Sequence, residues 1–355
     1  MGSTLINSPR KRNSLKDVAE QAGISIATVS RVINNKGHVS AALRARVMEV
    51  ARTLNYQPNL QARSLRKQKS RSIGLLIPNL MNTYYTALAD SISQLLINQG
   101  YQLLLSSTRD NPAIEQETLN KLIGHDVDGI IWVPTVGSLA QLQQLNNQNI
   151  PAVSIVRKVE NNLIDTIVFD DQAGSQAAIH HLIQLGHQSI GFIGGDTRYS
   201  SNYDRWQGYL AALRQAGLPL DNDLVKLGEF RSAWGSIACD EVLRLPTPPS
   251  ALFVSSNAVI HEVLKALRQH ALRIPQDISL ICFDDLGWFS YSDPPISAVS
   301  TSHEMMAQAA VDLLQRRIEQ PEQAQRPPVF MQLTFQLVIR HSTAPPNKNY
   351  PERRN

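Results

Sequence analysis

Cysteine is almost missing from this chain. Its 355 residues hold two, Cys239 and Cys282. Two thiols so far apart, each in apolar surroundings, cannot build a disulfide framework or a zinc site; they read as buried, reduced thiols of a cytosolic protein. Long hydrophobic runs are absent as well. No uninterrupted apolar stretch reaches about 18 residues, so no membrane span is expected. The opening MGSTLINSPRKRN has no apolar core followed by small residues, and Ile6 stands where a myristoylation signal needs Ser or Thr, so neither export nor lipid anchoring is expected. Glycine-rich catalytic signatures are missing too. Gly191-Phe192-Ile193-Gly194-Gly195 is not a G-x-G-x-x-G fingerprint, and neither a phosphate-binding G-x-x-x-x-G-K-[ST] loop nor a G-x-S-x-G elbow occurs. The adjacent His180 and His181 diverge by about 100° on a helix and make a poor metal pair. These absences argue against an enzyme and leave no cofactor or metal to expect.

What is present suits a globular chain of two or three domains: 43% hydrophobic and 18% charged residues over 355 positions. The formal charge is only +4, but it is unevenly spread. Residues 1–71 carry 14 basic and 3 acidic side chains, net +11, which leaves 20 basic and 27 acidic, net −7, for residues 72–355. A segment so basic repels itself unless phosphate offsets the charge, so nucleic acid is its expected partner.

The basic segment also has the local grammar of three helices. Ser14 reads as an N-cap with Asp17 as the reciprocal carboxylate of a capping box, and the first helix runs to about Ala22. Gly23 suits the left-handed turn that follows, and Ser25 caps a second helix over residues 26–34. Val18, Ala19, Ala22, Val29, Val32 and Ile33 supply small apolar faces, so the two helices can approach closely. Ser40 caps a third helix with Leu43, Val47, Val50, Ala51 and Leu54 at helical spacing, and Arg44, Arg46 and Arg52 fall on its outer positions. Residues 59–66 begin after Pro58 but are too short for a stable isolated helix, so they read as a conditional helix followed by a polar tether, RKQKSR.

The run SLKDVAEQAGISIATVSRVINNKGHVS, followed by LNYQPNLQARSL, resembles the DNA-binding headpiece and hinge of LacI/GalR-family bacterial transcription regulators. The likeness covers about sixty consecutive residues with spacing intact and continues more loosely to about residue 343. It implies that Ile26, Ala27 and Arg31 face base edges in the major groove. A guanidinium can donate two hydrogen bonds to guanine, whereas Ile26 and Ala27 offer shape only. It further implies that Thr28, Ser30, Asn34, His38 and Ser40 hold phosphates. In the hinge, Asn59, Ala62, Leu65 and Arg66 would enter the minor groove, Leu65 wedging into a base step when two copies meet.

Beyond residue 71, short apolar runs alternate with helical segments. The strands expected are 72–77, 101–106, 129–133, 152–156, 166–169, 189–194, 251–255 and 278–283; the helices include 83–99, 115–123, 172–185, 205–216, 235–243 and 259–270. This alternation implies α/β architecture with parallel sheets covered on both faces, and the likeness of 72–77 to 189–194 suggests an internal duplication. The resemblance implies a periplasmic-binding-protein-like core of two parallel-sheet subdomains behind the all-α headpiece. The expected division is a disordered basic arm at 1–13, a helix-turn-helix headpiece at 14–58, hinge and linker at 59–71, and a core at 72–343. Within the core, an N-subdomain takes about 72–166 and 302–329 and a C-subdomain about 167–301 and 330–343. Residues 344–355 are expected to be a disordered tail without apolar heptads, which favours a homodimer.

A ligand is expected between the carboxyl ends of the strands. The residues that follow them, with the family's recurrent arginine matched by Arg205, give Tyr84, Tyr85, Asp170, Tyr199, Ser201, Arg205, Phe230, Asn257, Asp284 and Trp288 as effector contacts. Amides, carboxylates, a guanidinium and aromatic faces form a sugar-like set. The chain departs from many relatives in carrying Asn257 where they have Asp, so no relative's ligand can be copied onto it. The expectation is a cytoplasmic, non-membrane, dimeric regulator, read as a repressor, of a pseudo-palindromic double-stranded DNA operator, controlled by a small polar effector of the sugar class. A purine or nucleoside corepressor on the same fold, and a solute-binding transport protein, are the alternatives.

Overall fold

The computed structural model describes residues 13–34, 38–56, 70–159, 163–229, 233–320 and 326–347. The hinge residues Asn59, Ala62, Leu65 and Arg66, the cleft candidate Phe230, and residues 1–12 and 348–355 lie outside the described residues. The chain divides into two units, one ending at Ser70 and one beginning at Arg71.

In the first unit, three helices form where their caps demand: α1 (Leu15–Ala22), α2 (Ile26–Ile33) and α3 (Ala41–Thr53). The Ser14–Asp17 capping box is complete, Gly23 is left-handed at φ 62°, and the side chains of Ser25 and Ser40 accept from the backbone N–H groups of Thr28 and Leu43. Each cap satisfies donors that the first helical turn leaves without partners. Val18, Ala19, Val29, Val32, Val47 and Ala51 form a small core, sealed by Leu15, Ile24, Leu43, Val50, Leu54 and Tyr56. Arg46 and Arg52 are exposed as expected, but Arg44 is half-buried.

The second unit holds two six-stranded sheets. The first contains β1 (Ser72–Ile77), β2 (Gln102–Ser107), β3 (Gly129–Trp132), β4 (Ala152–Ile155), β5 (Asp165–Phe169) and β11 (Phe330–Leu333), in the order β11-β5-β4-β3-β1-β2. The second contains β6 (Ile190–Gly195), β7 (Val225–Gly228), β8 (Ala251–Val254), β9 (Ser279–Phe283), β10 (Ser297–Ser300) and β12 (Gln336–Val338), in the order β12-β10-β9-β8-β6-β7. The orders correspond strand for strand, with β1 and β6 in the same place, which is the duplication suggested by their sequences. All pairings are parallel except β10 with β12. Central strands are buried on both faces, as parallel sheets require, because helices cover each side. Those helices are α4 (Thr83–Asn98), α5 (Pro112–Gly124), α6 (Leu139–Asn147), α7 (Asp171–Gln184), α8 (Ser200–Gln215), α9 (Trp234–Leu243), α10 (Ile260–Gln269) and α11 (His303–Glu319). No described helix is long and apolar enough to cross a membrane.

Two expected boundaries need correction. The expected boundary at residue 166 would cut through β5 and give β11 to the C-subdomain, yet β5 pairs in register with both β4 and β11 within the first sheet. A strand held by ladders on both sides cannot be shared between sheets, so the chain passes from sheet to sheet near residues 170, 301 and 334. Residues 344–347 also depart from the disordered tail expected there. Ala344 donates its N–H to Ser279 Oγ at 3.0 Å, and its carbonyl accepts from His187 Nε2 at 2.9 Å, so residues 344–347 are strapped to the second sheet. Both cysteines are buried and free.

Helix α8 begins at Ser200, five residues before the expected start at Arg205. The sequence SSNYD is poor in helix formers, and tertiary contacts override that weakness. Lys158 N donates to Ser200 Oγ at 2.8 Å, and Asn202 Nδ2 donates to the Asp196 carbonyl at 3.0 Å. Farther along, α8 lies hard against α7. A Cβ added to Gly208 would sit 2.2 Å from the Gln172 carbonyl oxygen and 2.8 Å from Ser175 Cβ. Gly208→Ala is therefore expected to destabilise the core by about 1–3 kcal/mol, the usual cost of overpacking. Urea unfolding checks this against Gly124→Ala, where the added Cβ meets nothing within 4 Å. Equal stability of the two variants would show that Gly208 does not set the α7–α8 distance.

Candidate functional site

In the first unit, the outer face of α2 carries the three expected base-reading side chains. Ile26, Ala27 and Arg31 are exposed, while Val29 and Val32 on the opposite face are buried. Arg31 is exposed and makes no hydrogen bond or ion pair among the described residues, and its guanidinium carries five donors in a planar fork. The expected phosphate contacts are split. His38 and Ser40 are exposed, whereas Thr28, Ser30 and Asn34 are half-buried. Thr28 Oγ1 pairs with Ser25 Oγ at 2.9 Å, and Asn34 Nδ2 donates to the Ser30 carbonyl at 2.8 Å. Ser40 is also the cap of α3.

In the second unit, a cleft of about 790 Å³ opens at the carboxyl ends of both sheets. Its walls come from loops after β1, β2 and β4 on one side and after β6, β7, β8 and β9 on the other. Arg205 forms the buried floor. Its Nε donates to Asp171 Oδ1 at 2.8 Å and its Nη1 to the Ser255 carbonyl at 2.7 Å, and its guanidinium carbon lies 3.7 Å from the centre of the Phe283 ring. Asp284 Oδ2 stands 3.6 Å from the same Nη1, while its Oδ1 accepts from Thr301 Oγ1 at 2.9 Å. Asp284 is held at φ 67°, and Arg109, Asp110 and Val156 in the opposing loops are left-handed too. For Val156, a β-branched residue, that conformation is a true outlier, and strain of this kind gathers at binding sites.

A second charged centre lies toward the other wall. Arg157 donates to Asp110 through both terminal nitrogens, at 2.5 and 3.2 Å, and its guanidinium covers the Tyr199 ring at 4.0 Å. Burial pushes the Tyr199 phenol up to about 12. Burial also raises the Tyr84 phenol well above its ordinary value, with Asp284 adding to the rise. Further polar contacts bridge the walls. Asn82 Nδ2 donates to Asn257 Oδ1 at 2.9 Å, Lys158 Nζ pairs with Asp204 at 2.5 Å, and Lys158 N reaches Ser200.

Of the expected effector contacts, Tyr84, Tyr85, Tyr199, Ser201, Arg205, Asn257 and Asp284 line the cleft. Two do not. Asp170 caps α7, accepting from Ala173 N at 3.0 Å, and its neighbour Asp171 takes the cleft position instead. Trp288 packs behind the wall, stacked on His261 at 4.8 Å; His261 is the residue that faces the cavity. Asp171, Arg157, Asp110 and Glu262 were not anticipated. Arg157 and Asp110 lie two and three residues beyond the ends of β4 and β2, and that position is the available signal.

Both units resemble known protein families. The family description "Bacterial regulatory proteins, lacI family" matches residues 14–59, and "Periplasmic binding protein-like domain" matches residues 179–343. The chain is 33% identical to "Probable HTH-type transcriptional repressor ExuR" of Bacillus subtilis (strain 168), over 87% of this chain and 92% of that one. It is 30% identical to the transcriptional repressor PurR of Actinobacillus pleuropneumoniae serotype 3 (strain JL03), over 94% and 99%. Among solved structures, the lac repressor dimer bound to operator and the anti-inducer ONPF matches with TM-score 0.82 at 26% identity, covering 94% of this chain and all of that one. The regulator CelR in complex with cellobiose matches with TM-score 0.70 at 28% identity, covering 93% and 100%.

The floor has a titration signature. Burial pushes the Asp171 carboxyl up to about 6 against the attraction of Arg205, and Asp284 adds to the rise. An unfolded Asp titrates near ~3.9, so between that value and about 6 the folded chain holds a proton that the unfolded chain has lost. The stability contributed by this group is full below the unfolded value and is lost as pH rises through the folded one. Asp171→Asn should remove that dependence: the melting temperature of the variant minus that of the wild type becomes more positive from pH 5 to pH 7.5. A difference constant across that range would mean that Asp171 is ionised throughout.

Proposed function

The chain belongs to the LacI family of bacterial regulatory proteins, and from that membership we propose that it is a cytoplasmic, dimeric repressor that binds a pseudo-palindromic operator and is controlled by a small sugar or sugar derivative. One observation carries the reading. The same chain joins a recognition helix whose exposed Arg31 has no partner among the described residues to a cleft whose floor is a buried, hydrogen-bonded arginine.

The chemistry of each part follows. On α2, Arg31 supplies directional readout and Ile26 and Ala27 supply shape, while the remaining headpiece cations meet phosphates and make binding fall steeply with salt. In the cleft, Arg205 donates to a ligand hydroxyl oxygen, Asp284 accepts from a hydroxyl, and the Tyr84 ring covers an apolar sugar face. A cleft of about 790 Å³ lies in the range of small-molecule sites. The ligand touches both walls, so it changes the balance of open and closed forms only by binding one more tightly than the other. Through the N-subdomains that balance sets the two hinge segments on DNA. A purine is less well served than a sugar, because Tyr84 and Tyr85 meet edge to face at 75° and offer no parallel pair of ring faces.

Selection of bound genomic fragments supplies the operator on which two outcomes are expected. Arg31→Ala lowers affinity by about 1–3 kcal/mol and relaxes preference at one symmetric base pair, read by anisotropy on single-base operator variants. Unchanged base preference would refute the role of Arg31. Thermal-shift screening of sugars, sugar acids and nucleosides then identifies the effector class, and stabilisation by nucleosides alone would overturn the sugar reading.

A further inference from the structure

An arginine grips a carboxylate or phosphate through two parallel N–H groups, and the cleft arginines have already committed theirs. Arg205 gives Nε to Asp171 and Nη1 to the Ser255 carbonyl, which leaves Nη2 as its single nitrogen without a hydrogen bond among the described residues. Arg157 gives both terminal nitrogens to Asp110, and its Nε, without a partner among the described residues, is buried away from solvent. Arg198 gives Nε and Nη2 to Asp196, at 2.8 and 2.5 Å. Arg109 remains, but it is exposed at the rim, where solvent screens its charge.

Three of the helix ends at the cleft are occupied in the same way, whereas those of α8 and α10 carry no side-chain cap. Asn82 caps α4 and Asn111 caps α5. At the start of α9, Glu262 accepts from the backbone N–H groups of Ala233 and Gly235, at 2.8 and 2.6 Å. On the floor, two carboxylates flank one guanidinium, all three less than one tenth exposed. A hydroxyl suits that floor because it donates to a carboxylate and accepts from Nη2. The buried Asn257 Nδ2, which has no partner among the described residues, is a further donor for such an oxygen.

We propose that the effector is an uncharged polyhydroxy sugar, and that Asp171 enforces this choice by occupying the Nε of Arg205 and denying an anionic ligand its two-pronged contact. The proposal rests on the sugar reading above. It narrows that reading to neutral ligands and names the residue responsible.

The test is isothermal titration of the full chain with matched probes: glucose, glucuronate and glucose 6-phosphate; ribose and ribose 5-phosphate; cellobiose and cellobionate. The expected result is binding of at least one neutral probe, with its acid or phosphate weaker by about a hundredfold. In Asp171→Asn that ratio should shrink by about tenfold or more, because a neutral amide oxygen holds Nε less strongly than a carboxylate against an incoming oxyanion and one repelling charge is removed. Equal or tighter binding of the charged partner by the wild type overturns the proposal, and this arm stands even where the variant does not fold. An unchanged ratio in a variant that melts cooperatively overturns the role of Asp171. Failure of every probe, neutral and charged alike, overturns the sugar reading itself and the proposal with it.

Discussion

The second unit is organised around one buried guanidinium. Removing a charge from water is costly unless charge and hydrogen bonds replace the solvent, and Arg205 meets that condition by drawing four parts of the fold to one point. Asp171 comes from the first turn of α7, Ser255 from the end of β8, Phe283 from the end of β9, and Arg205 itself from α8. Burial works against its charge, yet Asp171 and Asp284 more than offset this, so the guanidinium is held protonated more firmly than an ordinary arginine. Glycine makes the convergence possible. A side chain at Gly208 would collide with α7, and one at Gly174 would press within 3.2 Å of the Phe283 ring on which the guanidinium rests. The close approach of α7, α8 and β9 and the placing of the polar floor are therefore one constraint.

That constraint acts within one wall; what joins the walls is weaker. Three chain passages and a few polar contacts connect the sheets, including Asn82 with Asn257 and Lys158 with Asp204. Apolar packing is segregated, since the buried clusters of the first sheet contain no residue of the second. Two rigid bodies with a polar seam are suited to hinge motion, because breaking such contacts exchanges them for water instead of exposing core. The strained loops lie along this seam. Val156 and Asp284 hold left-handed backbones on opposite walls, and such conformations persist only where the surrounding structure fixes them.

How much could be read in advance follows from the range of the interactions involved. The headpiece was legible nearly residue by residue, since Ser14, Asp17, Gly23, Ser25 and Ser40 act on backbone groups within four positions. The sheets were legible as alternation, but not where the chain changes sheet, because hydrogen-bonding partners rather than hydrophobicity decide whether β5 and β11 belong to one ladder or the other. In the cleft, Asp284 and Asn257 are legible because they follow strands, and Arg205 because it matches the family's recurrent arginine. Asp170 is the residue expected in the cleft and Asp171 the one found there, because a one-residue step at a helix start separates a cap from a cleft residue, and only the backbone path fixes which is which. Trp288 has the right chemistry for a sugar face but stands one layer back, behind His261.

The near-neutral total of +4 conceals two opposite uses of arginine. In the headpiece, Arg31, Arg46 and Arg52 make no ion pair among the described residues, and a polyanion with closely spaced phosphates is the ligand that gains most from such groups. In the cleft, Arg157, Arg198 and Arg205 are each taken by a carboxylate of the chain itself. The residue type is the same, and its availability differs. An unpaired guanidinium attracts charge from solution, whereas a paired one supplies a fixed direction with its field largely cancelled, which is what selection among hydroxyl patterns requires. Counting basic residues thus locates the nucleic-acid partner, while the second ligand depends on which acids the basic residues have already met.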